Sequence, residues 1–223
     1  MGVKERRQRE KSETRDKILD AARELFLTEG YEGVSMRKVA EKIEYSPTAI
    51  YLHFADKQEL FRELCQQQFA RLAEGFQTAA MSADPLERIK QIGQTYIDFG
   101  ARYPNHYRFM FMAEQPVDCE EEADQVIKGN PEVDAYAFLK MSVQQVIDGG
   151  YLRPELNDAE LVSQTLWAAV HGVISLQIAK STEPWVNWRP LQERAALMLD
   201  ATLRGMLRST LREANLSSIQ EGR

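Results

Sequence analysis

The sequence predicts an all-α protein: an N-terminal domain of three helices that contains a helix-turn-helix, followed by a larger helical domain. Three observations carry that prediction. Apolar residues recur three and four apart through most of the 223 residues, the spacing that places them on one face of a helix. The segments so marked are punctuated by helix starts, Ser46-Pro47, Asp84-Pro85 and Asn157-Asp158, and by helix stops, Gly30 and Gly149-Gly150. Between the second and third segments only Glu44 and Tyr45 intervene, the short turn that sets two helices at a steep angle.

A composition of 43% hydrophobic and 28% charged residues suits a soluble globular protein of one or two domains with a sizeable core. No apolar run of membrane-spanning length is expected. The basic residues Lys4, Arg6, Arg7, Arg9 and Lys11 have no apolar stretch behind them, so a secretory signal is not expected and a cytoplasmic location is. Cys65 and Cys119 lie in unlike surroundings and make neither a disulfide framework nor a CxxC pair. The acidic run Glu120–Glu122 lacks an organised ligand pattern, so neither a metal nor a cofactor is expected. His53, His106 and His171 sit in separate segments, and no GxGxxG or P-loop occurs, which argues against an enzyme. The formal net charge of −6 is unevenly spread: residues 1–57 hold 12 Lys+Arg against 11 Asp+Glu, or +1, and the rest 16 against 23, or −7. A DNA-binding face needs only local cations, because each phosphate contact releases its own counterions.

Residues 1–13 are polar and charged without an apolar face and are expected as a flexible basic arm, either touching nucleic acid or solvated. From Thr14, Ile18, Ala22, Leu25 and Phe26 mark the first helix, which Gly30 stops. Val34 and Ser35 supply an apolar lead-in and an N-cap for a second helix over about Met36–Ile43, with Val39 placed to pack back on Val34. Its Arg37, Lys38 and Lys42 are left for solvent or phosphate. Ser46 and Pro47 then cap and start a third helix, Ser46–Phe54. At about 100° per residue Ile50 and Phe54 share one face, Thr48 and Leu52 point the other way, and Ala49 and Tyr51 flank them. A longer helix follows from Asp56 toward Ala80.

Residues 14–61 resemble the N-terminal domain of the tetracycline-repressor (TetR/AcrR) family of bacterial transcriptional regulators. The resemblance lies in Ile18–Phe26, Gly30-Tyr31, Ser35–Ala40, Tyr51–Phe54 and Asp56–Phe61. It implies that Ser35 and Arg37 meet phosphates, that Thr48 and Ala49 face base edges, and that Tyr51, His53 and Lys57 touch the backbone. Ser46 caps this reading helix, and Leu52 can meet a thymine methyl as Thr48 and Ala49 can. Tyr51 has core packing as its alternative, and His53 a structural role. Many relatives carry Gly where this chain has Glu44; a non-glycine residue in a left-handed conformation costs about 1 kcal/mol.

The remainder reads as helical throughout, with residues 62–212 expected as the effector-binding and dimerisation domain and 213–223 as a tail. Asp84-Pro85 opens a helix carrying Leu86, Ile89, Gly93, Tyr96, Gly100 and Tyr103, and Pro104 ends it. The apolar piece Tyr107–Met112 is either core or the adaptable wall of a ligand pocket. Residues 113–130 read as loop. Pro131 is expected to start a helix that carries Val133, Phe138, Met141, Val146 and Ile147, and two long helices follow, to about Lys180 and about Arg212. Trp167–Gly172, with Tyr103–Phe111 upstream, resembles the subgroup of the family with a Trp…His-Gly signature. Candidate ligand-binding residues are Tyr96, Phe99, Tyr103, Phe109, Met112, Phe138, Met141, Trp167 and His171; His171 has a satisfied interior position as its alternative. Ala168, Gly172, Ser175 and Ala179, a row of small residues that permits close approach, join Met198 and Thr202 as the candidate dimer interface, which would be a four-helix one. The resemblance implies a homodimer that regulates transcription from a near-palindromic DNA operator and is released by a small apolar or amphipathic effector. The alternative is a protein-interaction module that keeps the helix-turn-helix without reading DNA.

Overall fold

The computed structural model describes residues 2–79, 81–112 and 128–208. Nine helices lie among them: α1 Val3–Gly33, α2 Met36–Lys42, α3 Pro47–Tyr51, α4 Lys57–Ala79, α5 Pro85–Arg102, α6 Pro104–Phe111, α7 Ala135–Asp148, α8 Ala159–Lys180 and α9 Leu191–Met206. The chain divides into two compact units, the described residues of Met1–Phe69 with Asn105–Gln125, and those of Ala70–Pro104 with Val126–Arg223. The acidic run and the tail fall outside the described residues.

In the first unit the expected stripes converge. Ile18, Leu19, Ala22 and Phe26 of α1, Met36, Val39 and Ala40 of α2, Ile50 and Phe54 at α3, and Leu60, Phe61 and Leu64 of α4 form one buried cluster. Gly30 takes φ 72°, so α1 bends out of helical geometry there before Tyr31–Gly33. Two expectations change. Residues 3–13, expected as an arm, continue α1 as helix, because a docked helix propagates at low cost into polar sequence that alone would be too short to form one. The piece Tyr107–Met112 belongs with this unit: Phe109 is fully buried against Phe26 and Phe61, with ring centroids 6.1 and 5.0 Å away. Phe109 is thereby core rather than pocket wall, and Met112 stands half-exposed beside it in sequence.

In the second unit α8 packs against α5, α7 and α9, and α5 also meets α7 and α9. Gly93 of α5 lies close against α9: a Cβ there would stand 2.6 Å from a Leu199 side-chain methyl, which would have to shift. Asp84 and Asp158 cap α5 and α8 as expected, each carboxylate accepting from the backbone N–H two residues on, at 2.9 Å. α7 starts at Ala135 rather than Pro131, because Asp134 accepts from the N–H groups of Tyr136 and Ala137 while 131–133 make a turn. The last helix ends at Met206, where Leu207 bridges Leu152. Contrary to expectation, α8 is long and apolar enough, by length and composition alone, to cross a bilayer. Within the unit its Val162, Ser163, Leu166, Val170 and Ile174 are buried.

Candidate nucleic-acid interface

α3 is a five-residue helix, too short to persist by its own hydrogen bonds, so its position depends on what holds its ends. At the start, the Ser46 hydroxyl accepts from the Ala49 N–H at 3.2 Å, and Pro47 fills the first turn where its missing N–H costs nothing. At the far end, the N–H groups of His53 and Phe54 both donate to the Ile50 carbonyl, at 2.9 and 3.1 Å. Underneath, Ile50 and Phe54 are fully buried. Arg15 of α1 clamps this end: its Nη1 donates to the His53 carbonyl at 2.8 Å, its guanidinium lies 4.2 Å from the Phe54 ring centroid, and it pairs with Glu63 at 3.0 Å. No local pattern marks Arg15, because all three partners lie far along the chain.

The opposite side of α3 is presented outward. Thr48 is exposed, Tyr51 is 54% and Leu52 74% exposed, and Ala49 is half-buried, on the flank between the two faces. Glu44 holds φ 60° in the turn before it, the left-handed conformation expected of the glycine it replaces. On α2, the Ser35 hydroxyl caps the helix by accepting from the Lys38 N–H at 3.3 Å. Arg37 stands in solvent and pairs with Glu41 at 3.4 Å. Lys38 and Lys42, expected to be available, are instead paired with Glu29 and Glu24 of α1. Lys57 is likewise engaged: its ammonium donates to the Tyr31 carbonyl at 3.0 Å and lies 4.1 Å from the Tyr31 ring centroid. It fixes the start of α4 against the end of α1. The His53 imidazole has its pKa lowered, chiefly by burial and further by Lys11 and Arg15, and its Nδ1 is buried without a hydrogen-bond partner among the described residues. That is the structural side of the two readings for His53. Ser35, Arg37, Ser46, Thr48, Tyr51 and Leu52 are all exposed.

In the second unit the candidate ligand residues separate into groups. Trp167 Nε1 donates to the Tyr96 hydroxyl at 2.9 Å, and that hydroxyl lies 3.2 Å from His171 Nδ1. Burial lowers the His171 pKa. Beside Trp167, with ring centroids 5.8 Å apart, Tyr136 donates to Glu160 at 2.5 Å, and Lys140 pairs with the same carboxylate at 2.9 Å. Those two bonds pull the Glu160 pKa down to about 2, while burial and then Glu160 push the Tyr136 phenol up to about 12. Phe99 and Tyr103 pair with each other farther along α5, and Phe138 and Met141 are half-buried on α7. Of the candidate dimer residues, Ala168 and Ala179 are exposed or nearly so, a Cβ on Gly172 would meet open space, and Ser175, Met198 and Thr202 are half-buried. Leu161 and Leu176 extend this outward apolar face of α8 at 58% and 49% exposure, and Leu197 of α9 stands 70% exposed.

Comparison with known proteins bears on both units. Residues 18–64 match the family model of bacterial regulatory proteins of the tetR family, and residues 89–202, more than half of the chain, match the tetracyclin repressor-like C-terminal domain. The chain belongs to the TetR family. Its N-terminal unit carries the helix-turn-helix domain of that family's regulatory proteins. Over 65 residues, 29% of this chain and 34% of its relative, it is 43% identical to the transcriptional repressor AcnR of Corynebacterium diphtheriae. It is also 28% identical, over 45% of this chain and 47% of the other, to the transcriptional activator FasR of Mycolicibacterium smegmatis. These matches thus span about a third to a half of the curated relatives' length. A bacterial regulatory protein in the tetR family from Rhodococcus RHA1 superposes with TM-score 0.70 at 16% identity, covering 87% of this chain and 97% of that one, so the whole TetR fold is shared.

Proposed function

We propose that this TetR-family chain is a dimeric transcriptional repressor in which two α3 helices read a near-palindromic operator and a small apolar or amphipathic effector releases them. The observation that carries this reading is α3 itself, a helix anchored by Ile50, Phe54 and Arg15 that turns Thr48, Tyr51 and Leu52 outward. Thr48, Ala49 and Leu52 are assigned to base edges, where hydroxyl and methyl groups meet adenine and thymine. Ser35, Arg37, Ser46 and Tyr51 are assigned to phosphates, as donors that fix register. Lys57 contributes mainly by positioning α4, given its hold on Tyr31. The outward face of α8 and α9, with Ala168, Gly172, Ser175, Ala179, Met198 and Thr202, supports pairing of two copies, which gives the operator its two-fold symmetry. Tyr96, Trp167 and His171, with Phe99, Tyr103, Phe138 and Met141 on the neighbouring helices, are the proposed effector contacts: polar groups set among aromatic surface. Its site of action is the cytoplasm, where the DNA is.

A protein-interaction module is the second reading, favoured by Glu44 in the turn and by the +1 balance of residues 1–57. Selection of duplexes from a randomised pool by the full-length protein separates the two. A repressor enriches a two-fold related sequence, binds it less tightly as salt rises, and loses affinity on Tyr51→Ala. No enrichment, with salt-independent retention of DNA, would leave the interaction module standing.

A further inference from the structure

The helical extension of α1 sorts its charges by face. At about 100° per residue, Lys4, Arg7, Lys11 and Arg15 fall on one stripe within about 80° of arc, and Ile18 and Ala22 of the buried face continue it. Glu5, Glu10, Glu13 and Asp16 all lie off the stripe. Arg6 and Arg9, on the opposite side, are answered by Glu10 and Glu13 at 3.3 and 3.5 Å. Lys4, Arg7 and Lys11 are exposed and make no ion pair among the described residues. Neighbouring cations three and four apart repel one another on a helix; Arg15 is answered by Glu63 at 3.0 Å, while Lys4, Arg7 and Lys11 are held against one another's charge with no ion pair among the described residues.

The direction of the stripe identifies its partner. Arg15, its inner member, touches the His53 carbonyl at the end of α3, and the charge of Lys11 is felt at the His53 ring. The three unanswered cations therefore lead away from the reading helix along the same side of the first unit. From Lys4 to Arg15 is about 16 Å of helix axis, the rise of about five base pairs.

We propose that Lys4, Arg7 and Lys11 form a second phosphate-binding strip that grips the DNA backbone flanking each half-site, beyond the bases α3 reads. It rests on the regulator reading above and lengthens its footprint. The strip carries no base information: it adds affinity and salt dependence, while the selected sequence is set by α3.

The test uses the full-length protein and the duplex it selects, with flanks long or trimmed to the core site. For Lys4→Gln/Arg7→Gln/Lys11→Gln the plot of log affinity against log salt becomes shallower by about 0.9 for each phosphate no longer neutralised, up to about five for the six cations of a dimer. Trimming the flanks does the same to the unaltered protein and nothing more to the variant, and the enriched sequence is unchanged. Arg6→Gln/Arg9→Gln, on the opposite face, leaves the slope as it was, which controls for loss of helix. An unchanged slope in the triple variant, or an equal loss from the opposite-face variant, would overturn the strip and leave the operator reading intact. Failure of the unaltered protein to select any duplex would instead remove the regulator reading beneath it.

Discussion

α3 and α8 both expose large apolar side chains, and they do so in opposite settings. α3 has five residues, and its exposed Tyr51 and Leu52 stand in one small patch with Thr48 and the cation Arg37 of α2 nearby in sequence. α8 has 22 residues, and Leu161, Thr165, Ala168, Gly172, Leu176 and Ala179 recur along its full length, with small residues between the larger ones. A short patch among hydroxyls and charges suits a polar, grooved partner touched at a few atoms. A long smooth stripe beside a second such helix suits another helix of the same kind. Exposure alone thus says little; length and neighbours say which partner fits.

The largest effect should come from breaking the long face. Leu176→Glu/Leu197→Glu puts four carboxylates into a paired interface, and sedimentation should show a monomer at micromolar concentration. Operator affinity should then fall by about 10²–10⁴-fold, the gain that a second tethered half-site brings. An intact dimer would place the interface elsewhere.

Within α3 the inner and outer faces should separate cleanly. Ile50→Ala, in the core, should lower unfolding free energy by about 2–5 kcal/mol in urea. Leu52→Ala should leave it within about 0.5 kcal/mol and cost about 1–3 kcal/mol of operator binding. Equal destabilisation by both would mean that Leu52 is packed rather than presented.

What the sequence disclosed follows from the range of the interactions. The α2–turn–α3 unit was legible because Ser35, Ser46, Pro47 and Glu44 act on groups close to themselves in the chain. Phe109 was not: its burial against Phe26 and Phe61 joins segments far apart in sequence, and an apolar run reads alike for core and pocket. Lys57 looked like a phosphate clamp by position, yet the Tyr31 carbonyl and ring hold it from 26 residues away. His171 was legible as a polar group among aromatics, but its link to Trp167 through Tyr96 crosses from α8 to α5. Pro131 misled because a helix start is set by the residue that caps, Asp134, more than by a nearby proline.

Smaller effects sharpen the same contrast. Glu44→Gly relieves the left-handed strain and should stabilise the first unit by up to about 1 kcal/mol, partly offset by the freedom glycine adds to the unfolded chain. The urea midpoint should rise without a change in operator sequence. His171 should tie the second unit to pH. Burial holds its folded pKa below 6.5, so its contribution is present above that value and is lost on acidification toward the folded pKa. The melting temperature should fall modestly from about pH 7.5 to 5.5, and the fall should lessen in His171→Gln.

The central claim, two anchored α3 helices reading one duplex, is tested most directly by hydroxyl-radical footprinting of the full-length protein on the duplex it selects. Two protected patches should appear on one face of the DNA, about 34–36 Å apart or a multiple of it, and both should vanish together in Leu176→Glu/Leu197→Glu. A single patch that survives in that variant, or uniform protection without sequence register, would contradict it.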